Sequence, residues 1–176
     1  YGHRTAAGMD AAVRGDMDHR HLAVRLFETA QKHSTRVATR DRVGDGWVTR
    51  TFAEFPADAR PIPAHLVDMG VKPGDRIGLF ANNCPEWSVI DLASLAIRAV
   101  VVPIYATSTV DQVRHIMADS GARLLVVDAA SEYSRVAESR DDLPDLERVI
   151  SIKAVEGLQS YGGLLDAEPS AEAVAE

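Results

Sequence analysis

Four short apolar segments, separated by segments of helical pattern, constrain the fold of this 176-residue chain more than any other feature. The apolar segments are residues 76–81, 100–105, 123–128 and 148–153. Strands that alternate with helices at short spacing form parallel βαβ units with right-handed crossovers. The sequence therefore predicts the α/β class, with a mainly parallel, doubly wound sheet flanked by helices. Val100–Tyr105 is apolar enough to be a central strand.

Two helices between these strands have recognisable ends. The first begins at Pro85 and runs to about Ile97, and because it is apolar on most sides we expect it to pack between the sheet and another layer. The second is predicted to be capped by Ser108 together with Asp111 and to end near Gly121.

A β-hairpin is predicted near residues 36–51, in addition to the parallel sheet. Arg36–Arg42 and Trp47–Thr51 flank Gly44-Asp45-Gly46, a natural site for positive φ. A dinucleotide fingerprint would need a third glycine and a helix directly after the pair, and the sequence has neither. The glycines therefore indicate a turn.

The segment that follows the hairpin opens like a helix and contains three prolines. Thr51 and Glu54 have the spacing of a capping box. An interior proline removes a backbone donor and costs about 3 kcal/mol in a helix. The prolines are Pro56, Pro61 and Pro63. We therefore expect a break, followed by a shorter helix from about Pro63 to Met69 that Gly70 ends.

The two ends of the chain differ from its body. Residues 1–18 lack periodicity, and residues 167–176 are acidic and rich in alanine, so both are expected to be loose. The structured body between them begins with an amphipathic helix over His21–Lys32 and includes a polar helix near residues 130–140.

Composition excludes several classes of protein. Residues 61–176 hold 18 acidic and 9 basic side chains, and the net charge is −7, so a nucleic-acid partner is not expected. The most apolar run, from Val89 to Tyr105, is interrupted by charged residues and proline, so no transmembrane segment is predicted. The single cysteine, Cys84, forms no internal disulfide and is consistent with a cytoplasmic protein.

Four motifs along the chain are found together in one enzyme family. They are Gly70-Val71-Lys72-Pro73-Gly74-Asp75-Arg76, Asn83-Cys84-Pro85-Glu86-Trp87, Pro103-Ile104-Tyr105-Ala106-Thr107-Ser108 and Asp119-Ser120-Gly121-Ala122-Arg123. In this order they resemble the N-terminal part of the adenylate-forming, AMP-binding acyl-CoA synthetases, and most of all the bacterial long-chain fatty-acid CoA ligases. The resemblance covers roughly residues 20–165.

The resemblance implies that residues 19–166 are the N-terminal α/β subdomain of such a ligase, a partial piece of the adenylate-forming fold. The parent enzyme would convert a fatty acid, ATP and coenzyme A into acyl-CoA, AMP and pyrophosphate through an acyl-adenylate. ATP, Mg²⁺ and coenzyme A would be needed by the parent, and the partners of this chain would be the remainder of the ligase and its substrates. Acyl-chain length is left open, because the residues that line the acyl tunnel lie downstream in the family pattern.

The chain alone is expected to be inactive. The family's phosphate loop, its acidic ribose contact and its catalytic lysine have no counterparts here, and a bound triphosphate needs a glycine-rich nest, a cation and carboxylates. The lysines are Lys32, Lys72 and Lys153, and Gly162-Gly163 is not followed by Lys, Ser or Thr. We therefore assign no catalytic, cofactor-binding or metal-binding residue to the chain, and its expected role is that of a scaffold. The alternatives are a stand-alone α/β binding module or another acid–CoA ligase of the superfamily that acts on a shorter or aromatic acid.

Three other sets of residues suggest chemistry. Cys84 at a helix N-terminus has the position of a nucleophile, but a cap before Pro85 is the preferred interpretation. The histidines at 19, 21 and 33 lack the acidic or sulfur ligand that would complete a tetrahedral site. Asp111 and His115 have the spacing of a surface pair on a helix.

Tyr105, Thr107 and Ser108 follow the carboxyl end of a predicted parallel strand, which is where open α/β sheets bind ligands. A strand end followed by a helix cap explains the same residues. We prefer that explanation and do not assign them to a site.

Overall fold

The computed structural model describes residues 22–55, 60–170 and 173. The segment 1–18 and the residues His19, His21 and Pro56 lie outside the described residues. Seven strands are present in the described part: β1 (Val37–Val43), β2 (Gly46–Thr51), β3 (Arg76–Ala81), β4 (Val100–Tyr105), β5 (Leu124–Val127), β6 (Arg148–Ser151) and β7 (Gln159–Ser160). The α-helices there are α1 (Leu22–Lys32), α2 (Ile62–Asp68), α3 (Pro85–Ala96), α4 (Val110–Ser120), α5 (Ala130–Ala137) and α6 (Tyr161–Asp166).

Strands β3 to β7 form one parallel sheet in the order β4-β3-β5-β6-β7. The chain adds β4 on one side of β3 and then places β5 on the other side. This reversal makes the sheet doubly wound and creates a topological switch point between β3 and β5. The predicted parallel α/β sheet is confirmed.

The prediction that Val100–Tyr105 is a central strand is wrong. Strand β4 pairs only with β3 and forms an edge of the described sheet. Val100 is 49% exposed and Tyr105 is 84% exposed. Apolar composition indicates that helices cover the faces of a strand, but it does not report how many strands pair with it.

Helices cover both faces of the sheet because successive strand residues point to opposite sides. Ile77 and Leu79 pack in one core with residues of α2 and α3. Phe80 packs in the other core, with Val113 and Met117 of α4. Helix α3 contacts β3 and β4 on one side and α1 and α2 on the other, so its predicted position between the sheet and another layer is confirmed.

The hairpin is also confirmed. Strands β1 and β2 pair antiparallel around the turn, where Gly44 has φ of 58°. Glu54 accepts hydrogen bonds from the backbone N–H and the hydroxyl of Thr51, at 2.7 and 2.9 Å. Helix α2 begins one residue before Pro63 and ends ahead of Gly70, which has φ of 87°.

Helix α4 begins one residue later than predicted. Its cap is Thr109, whose hydroxyl accepts a hydrogen bond from the Gln112 backbone while the Gln112 side chain accepts one from the Thr109 backbone. The predicted cap by Ser108 and Asp111 is therefore wrong, because two overlapping hydroxyl-x-x-acceptor patterns compete and the second one forms. Gly121 ends the helix in the left-handed conformation, as expected.

The described residues of the acidic tail contact α2. The carbonyl of Ala167 lies 3.2 Å from Nε2 of the buried His65. Ser170 donates hydrogen bonds to both carboxylate oxygens of Asp68, and these bonds lower the pKa of Asp68. Ala173 is buried. These contacts differ from the loose tail expected for residues 167–176.

Candidate functional site

Three polar side chains meet at the carboxyl edge of the sheet, across the switch point. Asn82, Asp128 and Lys153 follow β3, β5 and β6 respectively. The Asn82 amide donates to one carboxylate oxygen of Asp128 at 2.8 Å, and Lys153 Nζ lies 2.9 Å from the other. Asp128 is only 3% exposed, and each of its two oxygens has one of these partners. This network is the polar centre of the edge at which doubly wound sheets bind ligands.

The electrostatics of the network favour its charged form. Burial by itself raises the pKa of Asp128, but the hydrogen bond from Asn82 and the ion pair with Lys153 outweigh that effect and leave the pKa below its ordinary value. The hydrogen bond to Asp128 likewise raises the pKa of Lys153. The two charges neutralise each other at neutral pH.

A cavity of about 510 Å³ lies beside this network. Its walls include Cys84 and Glu86 at the first turn of α3, and Tyr161 and Gly162 at the first turn of α6. The cavity is large enough for part of a small-molecule ligand. It is lined by one cation, Lys153, and that cation is already paired with Asp128.

Cys84 is the N-cap residue of α3, but its side chain makes no capping hydrogen bond. Burial is the largest cause that raises the pKa of the thiol to about 11, and the nearby Glu86 carboxylate acts in the same direction. A thiol with that pKa is protonated at neutral pH, and the thiolate is the nucleophilic form. Cys84 therefore occupies the predicted cap position before Pro85 without a capping bond from its side chain, and its protonated thiol does not favour the interpretation as a nucleophile.

The loop after β4 is fixed by Arg135, a residue that the sequence did not single out. The Arg135 guanidinium donates hydrogen bonds to the carbonyls of Ala106 and Ser108, each at 2.8 Å. It also donates to the Glu132 carboxylate at 2.7 Å and lies 4.7 Å from the centre of the Phe80 ring. Tyr105 and Thr107 remain exposed, whereas Ser108 is buried.

Arg135 and Glu132 therefore join α5 to the start of α4, and the hydroxyl of Ser131 completes the arrangement with a 2.8 Å hydrogen bond to Glu132. The sequence signal was an acid and a base three residues apart on a polar helix, which is a common surface pattern. Only the tertiary contacts distinguish this pair from a solvent-exposed one.

The other candidates do not come together as a site. Asp111 pairs with Arg114 at 3.0 Å, and His115 is exposed. The described part of the chain contains no group of three His, Cys, Asp or Glu side chains that could hold a metal ion. At Gly162-Gly163, the Gly163 N–H donates to the Ser160 hydroxyl in a helix cap.

Among the helices of the described residues, none has both the length and the apolar character needed to cross a bilayer.

The described residues thus form a doubly wound α/β unit with a satisfied polar network at its switch point. Residues 26–175 match the family described as AMP-binding enzyme, so the chain belongs to the AMP-binding enzyme family. This confirms the resemblance carried by the four motifs.

Relatives of the chain include long-chain-fatty-acid–CoA ligases. The chain is 33% identical over 154 residues to the ligase FadD15 of Mycobacterium bovis, a match that covers 85% of this chain and 26% of that protein. It is 32% identical over 108 residues to the ligase heimdall of Drosophila melanogaster, covering 61% of this chain and 16% of that protein. The chain therefore spans about a quarter or less of the length of these relatives.

Solved structures show the same fold. A putative long-chain-fatty-acid CoA ligase from Rhodopseudomonas palustris superposes with a TM-score of 0.74 at 22% identity, over 85% of this chain and 37% of that one. A luciferase-like enzyme from the mealworm Zophobas morio gives 0.76 at 18% identity, over 89% and 39%. At these identities the likeness establishes the adenylate-forming fold and nothing about substrate.

Proposed function

We propose that this chain is the N-terminal α/β portion of a cytoplasmic long-chain fatty-acid CoA ligase. The parent would join a fatty acid to coenzyme A with ATP, through an acyl-adenylate. The observation that carries the proposal is the match to FadD15, which extends over 85% of the chain. The proposed subdomain is residues 19–166, between the segments 1–18 and 167–176.

The described residues do not fit Mg-ATP, and we therefore derive no step of the reaction on this chain. Lys153 is paired with Asp128, and the Gly163 N–H is taken up by a helix cap. A triphosphate would need free backbone donors and a free cation at this edge. In the proposed parent, ATP, Mg²⁺ and coenzyme A would be held by other segments, and this chain would form one wall of the large domain.

The ligase proposal is tested on the product of the complete reading frame that contains this sequence, which the proposal expects to be longer than 176 residues. ATP–pyrophosphate exchange is measured with hexadecanoate, hexanoate and benzoate as the acid, and the 176-residue chain serves as the control. We expect exchange with hexadecanoate by the longer product and none by the control. Preference for benzoate or hexanoate would assign the parent to another branch of the superfamily. A stop codon after Glu176, or exchange by the short chain, would contradict the proposal.

The ligase proposal and the alternative of a stand-alone module differ in what they predict for the edge strand β4. As part of a larger sheet, β4 should pair with a further segment of the parent, and alone it leaves Val100 and Tyr105 exposed. We expect the isolated chain to self-associate in sedimentation velocity, and Val100→Lys to reduce that association. A monomer with one sharp thermal transition would favour the stand-alone module.

A further inference from the structure

A second cavity, of about 810 Å³, lies at the opposite end of α3 from the switch point. Its walls come from α2, the turn before β3, the last turn of α3 and the tail segment that contacts α2. Val67, Val71 and Ile97 supply part of its apolar lining. Helix α3 has 12 residues, so the two cavities are about 18 Å apart along its axis.

Among the described residues, three cations line this cavity and no Asp or Glu does. They are Arg60, Lys72 and Arg98. Each is exposed, and within the described part of the chain none of the three forms an ion pair. The whole chain has 26 acidic and 19 basic side chains, so three cations without a carboxylate partner among the described residues stand out against its composition. An apolar wall with cations at its border is complementary to a molecule with an apolar chain and an anionic head.

The backbone conformation of Arg98 is a second feature of this cavity, independent of its charge. It has φ of 60°, and among the non-glycine residues that the structure describes it alone has a positive φ. It follows the end of α3, where glycine is the residue that adopts this conformation without strain. A strained non-glycine residue is a reason to look for a function at its position. Here the position places an arginine in the wall of the cavity.

We propose that the cavity binds an amphiphilic anion, with the acyl or alkyl chain against Val67, Val71 and Ile97 and the carboxylate or phosphate head near Arg98. Because the cavity lies at the other end of α3 from the switch point, this site is separate from any ligand site at the carboxyl edge. The proposal does not depend on the ligase reaction proposed above.

The test is isothermal titration calorimetry of the 176-residue chain with decanoate below its micelle concentration, and with the neutral decanamide. We expect saturable binding of decanoate at one site and binding of decanamide at least about fivefold weaker. Arg98→Gln keeps the strained position occupied and removes only the charge, so it should weaken decanoate binding about two- to fivefold. Arg36→Gln, a matched loss of charge away from the cavity, should leave the affinity unchanged.

A second variant separates strain from binding. Arg98→Gly should raise the folding equilibrium constant about fivefold, since glycine adopts positive φ freely, and should still weaken decanoate binding. Equal affinity for decanoate and decanamide, an equal loss in Arg36→Gln, or no saturable binding would overturn the proposal.

The source of the anion is distinguished by flotation with vesicles of phosphatidylglycerol, with phosphatidylcholine vesicles as the control. Decanoate binding together with vesicle binding that Arg98→Gln weakens would identify a lipid headgroup as the ligand. Binding of monomeric decanoate without vesicle binding would identify a free acyl anion, and either result supports the site.

Discussion

Replacing Arg135 with methionine should destabilise the fold strongly while preserving its bulk. The guanidinium satisfies the carbonyls of Ala106 and Ser108 and pairs with Glu132, whose side chain is only 6% exposed. The variant leaves the Glu132 carboxylate buried without its cation. It also removes the donor that fixes the loop after β4.

The expected magnitude follows from the burial of the pair. Removing one partner of a buried ion pair costs about 3–5 kcal/mol. Because the Arg135 side chain is 25% exposed, solvent compensates part of the loss, and we place the cost at the lower end, about 3 kcal/mol. A domain of this size has a stability of about 5–15 kcal/mol, so the variant should still fold.

Urea unfolding followed by circular dichroism measures the effect. With an m-value of about 2 kcal/mol/M, a loss of 3 kcal/mol lowers the midpoint by about 1.5 M. Glu132→Gln in the Arg135→Met background should recover part of the loss, with a coupling energy of about 1–3 kcal/mol. A cost below about 1 kcal/mol for Arg135→Met, or strict additivity in the double variant, would show that the pair behaves as an exposed surface pair.

Three further predictions concern single positions. Asp128→Asn should cost about 1–3 kcal/mol of unfolding free energy at pH 7. Because folding lowers the pKa of Asp128, the native carboxylate stabilises the fold above the unfolded pKa of about 3.9, and this advantage disappears as the pH falls through the folded pKa. Thermal unfolding of both proteins at pH 7 and pH 2.5 measures the difference. Gly78→Ala places a Cβ within 2.8 Å of two core side chains and should cost about 1–3 kcal/mol in urea unfolding, whereas Gly162→Ala meets no atom within 4 Å and should not destabilise. Thr109→Ala should cost about 1 kcal/mol in the same assay and Ser108→Ala clearly less, and the reverse order would contradict the assigned cap.

The sequence predicted the elements of the fold better than their arrangement. The bounds of β4 were correct because an apolar run between turn residues marks a strand wherever the strand lies in the sheet. Its edge position could not be read from Val100–Tyr105, because strand order depends on contacts between segments that are distant in sequence. The same limit applies to Asn82 and Asp128, which meet only because β3 and β5 are neighbours.

Local patterns also led to one wrong prediction, the cap of helix α4. Ser108-x-x-Asp111 and Thr109-x-x-Gln112 are overlapping cap patterns. The stronger N-cap preference of Ser favours the first, whereas Gln at the fourth position of a capping box favours the second. In the structure the Ser108 carbonyl is held by Arg135, which fixes the chain one residue ahead of the helix. The contact that accompanies capping by Thr109 comes from a residue 27 positions away in sequence, so the local motif alone could not predict it.

The satisfied network at the switch point bears on why this chain would act as a scaffold. A carboxylate that binds a metal ion or a substrate must be reachable, but Asp128 is 3% exposed and each of its oxygens already pairs with Asn82 or Lys153. A ligand that recruited Lys153 would have to break its ion pair and leave the Asp128 charge buried without a cation, which is costly. The network therefore stabilises the junction of β3, β5 and β6, and in the proposed ligase other segments of the parent would supply the reacting groups to this edge.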